Sequence, residues 1–402
     1  MTRRDPMLQL GLWNLAIVAL IGFTLRCKIL FEIPFLDYRN LLRAHGHFAF
    51  AGWIGFMLLT LMAIQRFAPA KIPLGWRRVL WAVYTSAIGM VLTYPVFGNG
   101  APSLFFASVY ILSNFVFVAM FFTGRATTVE KSARVLNFWA LSSLLASSIG
   151  PVVLGSMMAN HSANALLHRT SVYTFLHFQY NGFFTLAVFA HLFGSRPALA
   201  ALPAARPFVL LLCAATLPTL PLSLLWLNSG LLYGVAAIGV LLLIATAIAG
   251  WRLYRQTHGI KISETPLARG LMRLSMLSFA GKVLLSAGTI IPSLGNAVYG
   301  DRPVIIGFLH LVFLGFVSFY LLAVLVDRGY FTFGSRLRRA PIMVFGAGVL
   351  ANEALLLLQG LGILLGTNSG YFNWALLAAS ALLLAGSLLM ALSALRPAGK
   401  RE

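Results

Sequence analysis

The residues best equipped for chemistry are histidines. The chain has eight, and three of them open variants of one phrase: HFAFAGW from His47, HFQYNGF from His177 and HLVFLGF from His310. Each reads His-x-x-aromatic-x-Gly-aromatic. His47 and His177 are 130 residues apart, His177 and His310 133. Neutral imidazole is the usual protein ligand for haem iron and copper, and it also carries protons. On a helix the aromatic three positions on shares the face of the histidine. The glycine at the fifth position clears space for a planar group or a neighbouring helix. His45 precedes His47 by two residues, about 200° around a helix, so the pair serves two sides. Three imidazoles at one depth read as ligands of a shared site; the plainer alternative is polar contact between helices.

The elements that must carry these histidines are membrane helices. Of 402 residues, 59% are hydrophobic and 10% charged, a balance foreign to soluble domains. Apolar runs of about 20 residues recur along the chain. Twelve are predicted: 8–30, 42–65, 77–98, 102–123, 134–157, 167–193, 207–227, 230–251, 269–292, 303–326, 341–366 and 372–395. Connections are short, so residues 1–402 form one polytopic all-α domain. The first run follows a basic start but is too long for a signal peptide and lacks a clear cleavage site, so it is read as a retained helix.

The net charge of +21 follows from topology rather than from nucleic acid. With the N-terminus inside, 23 of the 30 basic residues fall in cytoplasmic segments: Arg3 and Arg4, 66–78, 125–134, Arg196 and Arg206, 252–273, 328–339 and the tail 396–401. This predicts a bacterial inner-membrane protein with both termini cytoplasmic and the lipid bilayer as its partner. Cys27 and Cys213 fall in opposite leaflets, which argues against a disulfide. No Cys-x-x-Cys-His occurs, so no haem is attached through thioethers. His47, His177 and His310 fall in spans 2, 6 and 10, all running in one direction. The chain therefore reads as three quasi-repeats of four helices. His47 and His310 lie about 9–10 Å below the outer boundary at ~1.5 Å per residue.

On these residues the chain resembles subunit I of the heme-copper oxidases. The resemblance implies a b-type haem between spans 2 and 10, with His47 or His45 and His310 as axial ligands. His47 is preferred because it matches the repeat. The resemblance also implies that His177 faces copper or a second cofactor. Arg43, Arg169 and Arg302, at the outer edge, are candidates for the haem propionates. There are departures. Span 7, FVLLLCAATLPTLPLSLLWL, lacks the family's histidine pair; span 10 has FLH rather than His-x-His; span 6 has LHFQY rather than HPEVY. Proton-pumping oxygen reduction is therefore not implied. The HGHFAFAGW segment is similar to that of the NnrS-type haem and copper membrane proteins. This implies redox or nitric-oxide and other gas-ligand chemistry, with a redox partner in the membrane or periplasm. Catalytic residues are not assigned, and an oxidoreductase activity is left open.

Other polar groups complete the reading. Lys282 and Glu353 lie near mid-membrane in spans 9 and 11, either as an ion pair or on a proton path. Gln179 and Asn181 add polar capacity around His177. His161 and His258 are expected in loops, His168 at the entry of span 6, and His191 at the inner interface. Two rival functions remain: a transporter or channel for protons, metal ions or a small solute, and a haem or copper assembly factor. A threefold, same-direction repeat disfavours the inverted halves common in transporters.

Overall fold

The computed structural model describes residues 5–124, 130–295, 301–331, 339–367 and 369–395. Arg3, Arg4, Arg125, Arg336, Arg338, Arg396, Lys400 and Arg401, part of the basic loop pattern, lie outside the described residues. No strand occurs among the described residues. The main helices are α1 (Pro6–Leu30), α2 (Tyr38–Phe67), α3 (Leu74–Phe97), α4 (Ala101–Thr123), α5 (Lys131–Ala159), α6 (165–195), α7 (Ala205–Ala215), α8 (Gly230–Gln256), α9 (Pro266–Gly288), α10 (Arg302–Asp327), α11 (Ala340–Leu364) and α12 (Tyr371–Ala394). Several start on a side chain that accepts a first-turn N–H: Asp5 from Met7, Asp37 from Asn40, Glu130 from Ala133, Asn164 from Leu167 and Thr265 from Ala268. Such caps satisfy donors that the helix itself leaves open.

Ten of these helices are long and apolar enough to cross a membrane, which makes the chain a multi-span membrane protein with lipid as its surroundings. α6 and α7 stand apart. α6 is continuous but carries His168, Arg169, His177, Gln179 and Asn181. α7 ends at Ala215, where a helix to 227 was expected, and the chain continues through turns and short 3-10 segments at Leu220–Ser223 and Leu225–Leu227. Pro218 and Pro221 explain the break, because each removes a backbone donor and clashes with the preceding turn.

The core is built around α2, α6 and α10. The apolar stretches of α2 and α10 are 83% and 67% buried, against 22–44% for the other eight spans. Every residue of α6 from 177 to 193 except Asn181 is buried. Phe50, Phe184 and Phe313 close a triangle of rings where the three meet, with centroids 4.7–5.9 Å apart. Each pair also shares a polar clasp. Gln65 donates to the His191 carbonyl at 3.1 Å. The Tyr320 hydroxyl and His191 Nδ1 are 2.6 Å apart. Trp53 Nε1 donates to Ser318 Oγ at 2.8 Å. The remaining helices pack around this trio, and α12 returns against α1.

All three central helices widen into a π segment within two residues of the motif histidine: Ala49–Gly55, Phe178–Phe184 and Leu311–Ser318. π segments are rare and concentrate at functional sites. Thr185 Oγ1 donates to the Tyr180 carbonyl at 2.6 Å, and Ser318 Oγ to that of Phe313 at 2.7 Å. Both hydroxyls stand eight residues after the histidine. At that position α2 has Gly55, where a Cβ would lie 2.7 Å from both the Phe50 carbonyl oxygen and the Tyr110 hydroxyl of α4. The motif glycines serve neighbouring helices. Ser143 of α5 fills the space beside Gly182, and Ser278 of α9 that beside Gly315. Asn14 of α1 donates to the Gly52 carbonyl at 2.5 Å.

Hydrogen bonds show which helix ends lie together. Tyr330, just past α10, accepts from the Asp5 N–H at 2.6 Å; Gln9 donates to the Ala394 carbonyl at 3.1 Å; Arg196 pairs with Asp327 at 3.2 Å. The starts of α1 and α9 thus share one end with the finishes of α6, α10 and α12. The histidine-bearing starts of α2 and α10 lie at the other end, with the finish of α1.

Candidate cofactor site

His45 turns from α2 toward α1. Its ring lies on a stripe of α1 residues spaced by four: Val18, Gly22 and Arg26. The Val18 backbone acts on the ring electrostatically. A Cβ on Gly22 would come within 3.1 Å of His45 Cε1. His310 of α10 and Arg26 of α1 lie within electrostatic reach of His45, and Arg26 within that of His310. His310 Nδ1 lies 2.8 Å from the Ile306 carbonyl, so Nδ1 carries the proton and Nε2 keeps its lone pair. His45 Nδ1 is buried with no hydrogen-bond partner.

α2 and α10 touch at their π segments but pack less closely before them. The first turns of α10, Arg302–His310, lean on α11 instead, with Gly307 against Leu356 and Gly360 against Val304. No residue of that segment is fully buried.

His47 faces the other side of α2, as its spacing from His45 requires. Its ring stacks on Tyr94 of α3 at 4.4 Å and 8°. Arg43 acts on the same ring and donates to Asn40 Oδ1 at 2.8 Å. His45, not His47, is the α2 histidine within electrostatic reach of His310. His177 is fully buried; its Nε2 donates to the Thr216 carbonyl at 2.8 Å, and its Nδ1 accepts from Asn181 Nδ2 at 3.1 Å. Both nitrogens are engaged, and the three motif imidazoles do not converge. No group of three or more His, Cys, Asp or Glu side chains gathers among the described residues, so His177 does not meet partners for a multi-ligand copper site.

The other expected residues scatter. Gln179 donates to Ser147 Oγ of α5 at 2.9 Å. Arg169 lies 4.4 Å above the Trp226 ring, beside the broken stretch after α7. Arg302 is exposed in the first turn of α10. The expected Lys282–Glu353 ion pair does not form. Lys282 donates to Thr185 Oγ1 at 3.2 Å, while Glu353 accepts from Asn352 at 3.1 Å. His191 is buried against Tyr320 rather than interfacial, whereas His161, His168 and His258 are exposed.

Arg26 is the residue near these two histidines that sequence reasoning passed over. Its signal was present: Val18, Gly22 and Arg26 repeat every four residues on one face of α1.

The donor set fits a haem held from two sides. Two imidazoles project from different helices, one with its ring fixed by a backbone acceptor and the other with an orphaned buried nitrogen. An arginine lies near both. No family model matches the chain, and no curated protein is similar to it at a significant level.

Proposed function

We propose that the chain is a membrane haem protein holding a b-type haem between α2 and α10, with His45 and His310 as the axial residues. The observation that carries this is the electrostatic proximity of the two imidazoles, with His45 Nδ1 buried and without a hydrogen-bond partner and His310 Nδ1 held by the Ile306 carbonyl. Such a second-shell bond fixes a ligating imidazole in orientation and raises its basicity. Arg26 supplies a cation for the carboxylates that haem carries at its edge. Gly22 keeps α1 close to the ring that would ligate. When bound, the haem would supply a one-electron iron couple.

The twelve-helix course is read as three units of four on the heme-copper oxidase subunit I pattern. Support comes from the thrice-repeated register of histidine, π segment and glycine contact. Ligation by both imidazoles would leave no open position for nitric oxide or another gas, which favours electron transfer as the chemistry such a haem would supply. His177, with both nitrogens engaged, gives copper no support. The basic loops support a reading with both termini in the cytoplasm and the histidine pair toward the periplasm of a bacterial inner membrane. A redox partner would then meet the site from the membrane or from the periplasm.

The test is the reduced-minus-oxidised spectrum of the purified full-length protein after expression with haem available. The expected b-type signal disappears in His45→Ala and His310→Ala and persists in His47→Ala. A folded but colourless wild-type protein, or a signal that depends on His47 and not on His45, overturns the reading.

A further inference from the structure

A second feature lies on the outside of the bundle, where α8 finishes and α9 begins. The two helices pack on each other, and residues 257–265 connect them. That connection is fixed to the core. Arg196 Nε donates to the Ile262 carbonyl at 2.9 Å, and the Glu264 N–H donates to Asp327 Oδ1 at 2.9 Å. On α8 the exposed residues Leu241, Ile248, Arg252 and Arg255 follow one another at spacings of seven, four and three. On α9 the exposed Leu284, Leu277, Arg273 and Arg269 follow at seven, four and four. Such spacings keep each set on one face of its helix. Both lipid-facing stripes are thus apolar along their length and end in arginines at the same end of the bundle.

Trp251 and Tyr254 stand beside these arginines on α8, 61% and 59% exposed, their rings stacked at 5.7 Å and 30°. Exposed tryptophan and tyrosine mark the boundary between hydrocarbon and headgroups. Arg273 lies seven residues into α9, about 10 Å from its start, and Arg252 four residues before the finish of α8. From these depths a long side chain reaches the headgroup layer. No ion pair engages the four guanidiniums among the described residues, and Glu264, the one acid between 252 and 273, is bonded to Lys261. A guanidinium at this boundary is matched by phosphate, which it grips with two parallel N–H groups. Apolar stripes for chains and a cationic end for a head are the two requirements of a single amphiphile.

We propose that the α8–α9 edge binds an anionic phospholipid of the surrounding bilayer, its phosphate on Arg252, Arg255, Arg269 and Arg273 and its acyl chains along Ile248 and Leu277. The apolar stripes accept the chains of any bilayer lipid, so selectivity lies in the headgroup. Each arginine at the surface adds attraction for a lipid with net negative charge. Nothing in this depends on haem.

The test is tryptophan fluorescence of the full-length protein in vesicles of equal parts phosphatidylglycerol and phosphatidylcholine, with bromine on the chains of one lipid or the other. Bromine quenches the rings it touches, and the contribution of Trp251 is the difference between wild type and Trp251→Phe. At Trp251 the quenching is expected to report about a fivefold preference for phosphatidylglycerol. The preference falls toward one in Arg252→Gln/Arg255→Gln, in Arg269→Gln/Arg273→Gln and, for the wild type, in strong salt. Inorganic phosphate added at constant ionic strength leaves it unchanged. Should one double variant fail to fold, the other and the salt series carry the test. Equal quenching by the two lipids in the wild type overturns the proposal, as does a preference that survives the arginine variants. A preference abolished by inorganic phosphate overturns it too, and would mark a site for a free anion.

Discussion

An imidazole becomes a ligand only when a lone pair is free and the ring is held still, and the four histidines of α2, α6 and α10 that begin or precede the motif divide on that condition. His177 has both nitrogens engaged and fails it, whereas His45 and His310 each keep a nitrogen available; His47, stacked on Tyr94, is set apart by the side of α2 it faces. Spacing made the two-sidedness of His45 and His47 legible. It could not choose between them, because the choice depends on the α1 stripe that receives His45. The Lys282–Glu353 pair failed because depth along a helix says nothing of azimuth. Gly22→Leu should crowd the His45 ring and lower haem content at least tenfold while the helical circular dichroism is unchanged; pigment retained at wild-type level would detach Gly22 from the site. Ser318→Ala leaves Trp53 Nε1 buried without an acceptor. It should cost about 1–3 kcal/mol, read as a lower melting temperature in detergent.

Most helices were legible because a membrane span is a long apolar run, and residue type alone reports that. The seventh was misread because its apolarity continues through Pro218 and Pro221, and hydropathy does not register a missing N–H. The π segments were invisible, since the same residues would serve in an α-helix. The motif glycines are the trace of what those helices touch. Gly182→Ala places a methyl where Ser143 already lies, and overpacking of this kind costs about 1–3 kcal/mol. Gly155→Ala, on α5, meets nothing within 4 Å and should be neutral or gain about 0.5–1 kcal/mol from the stiffer backbone. Thermal unfolding of the two variants side by side checks this. Equal melting temperatures would show that the glycine at the fifth motif position is not a packing device.

At the scale of the whole molecule, the trio of α2, α6 and α10 is the scaffold, and everything else positions it. The end where these three finish carries Arg66, Arg196 and Arg328, so the charge pattern and the packing define the same two faces. Whether the short α7 and its unwound continuation cross the membrane decides the span count. Reporter fusions at Asn228 and His258 should report opposite sides, with His258 on the side of the fusion at Ala200; Asn228 on the side of Ala200 would make α7 re-entrant. The central claim is a haem held by one imidazole from α2 and one from α10. Electron paramagnetic resonance of the oxidised, full-length protein tests it most directly. The account predicts a low-spin ferric signal of two axial imidazoles, lost in His45→Ala and in His310→Ala and intact in His47→Ala. A high-spin signal in the wild-type protein, or a low-spin signal that survives His45→Ala, would contradict it.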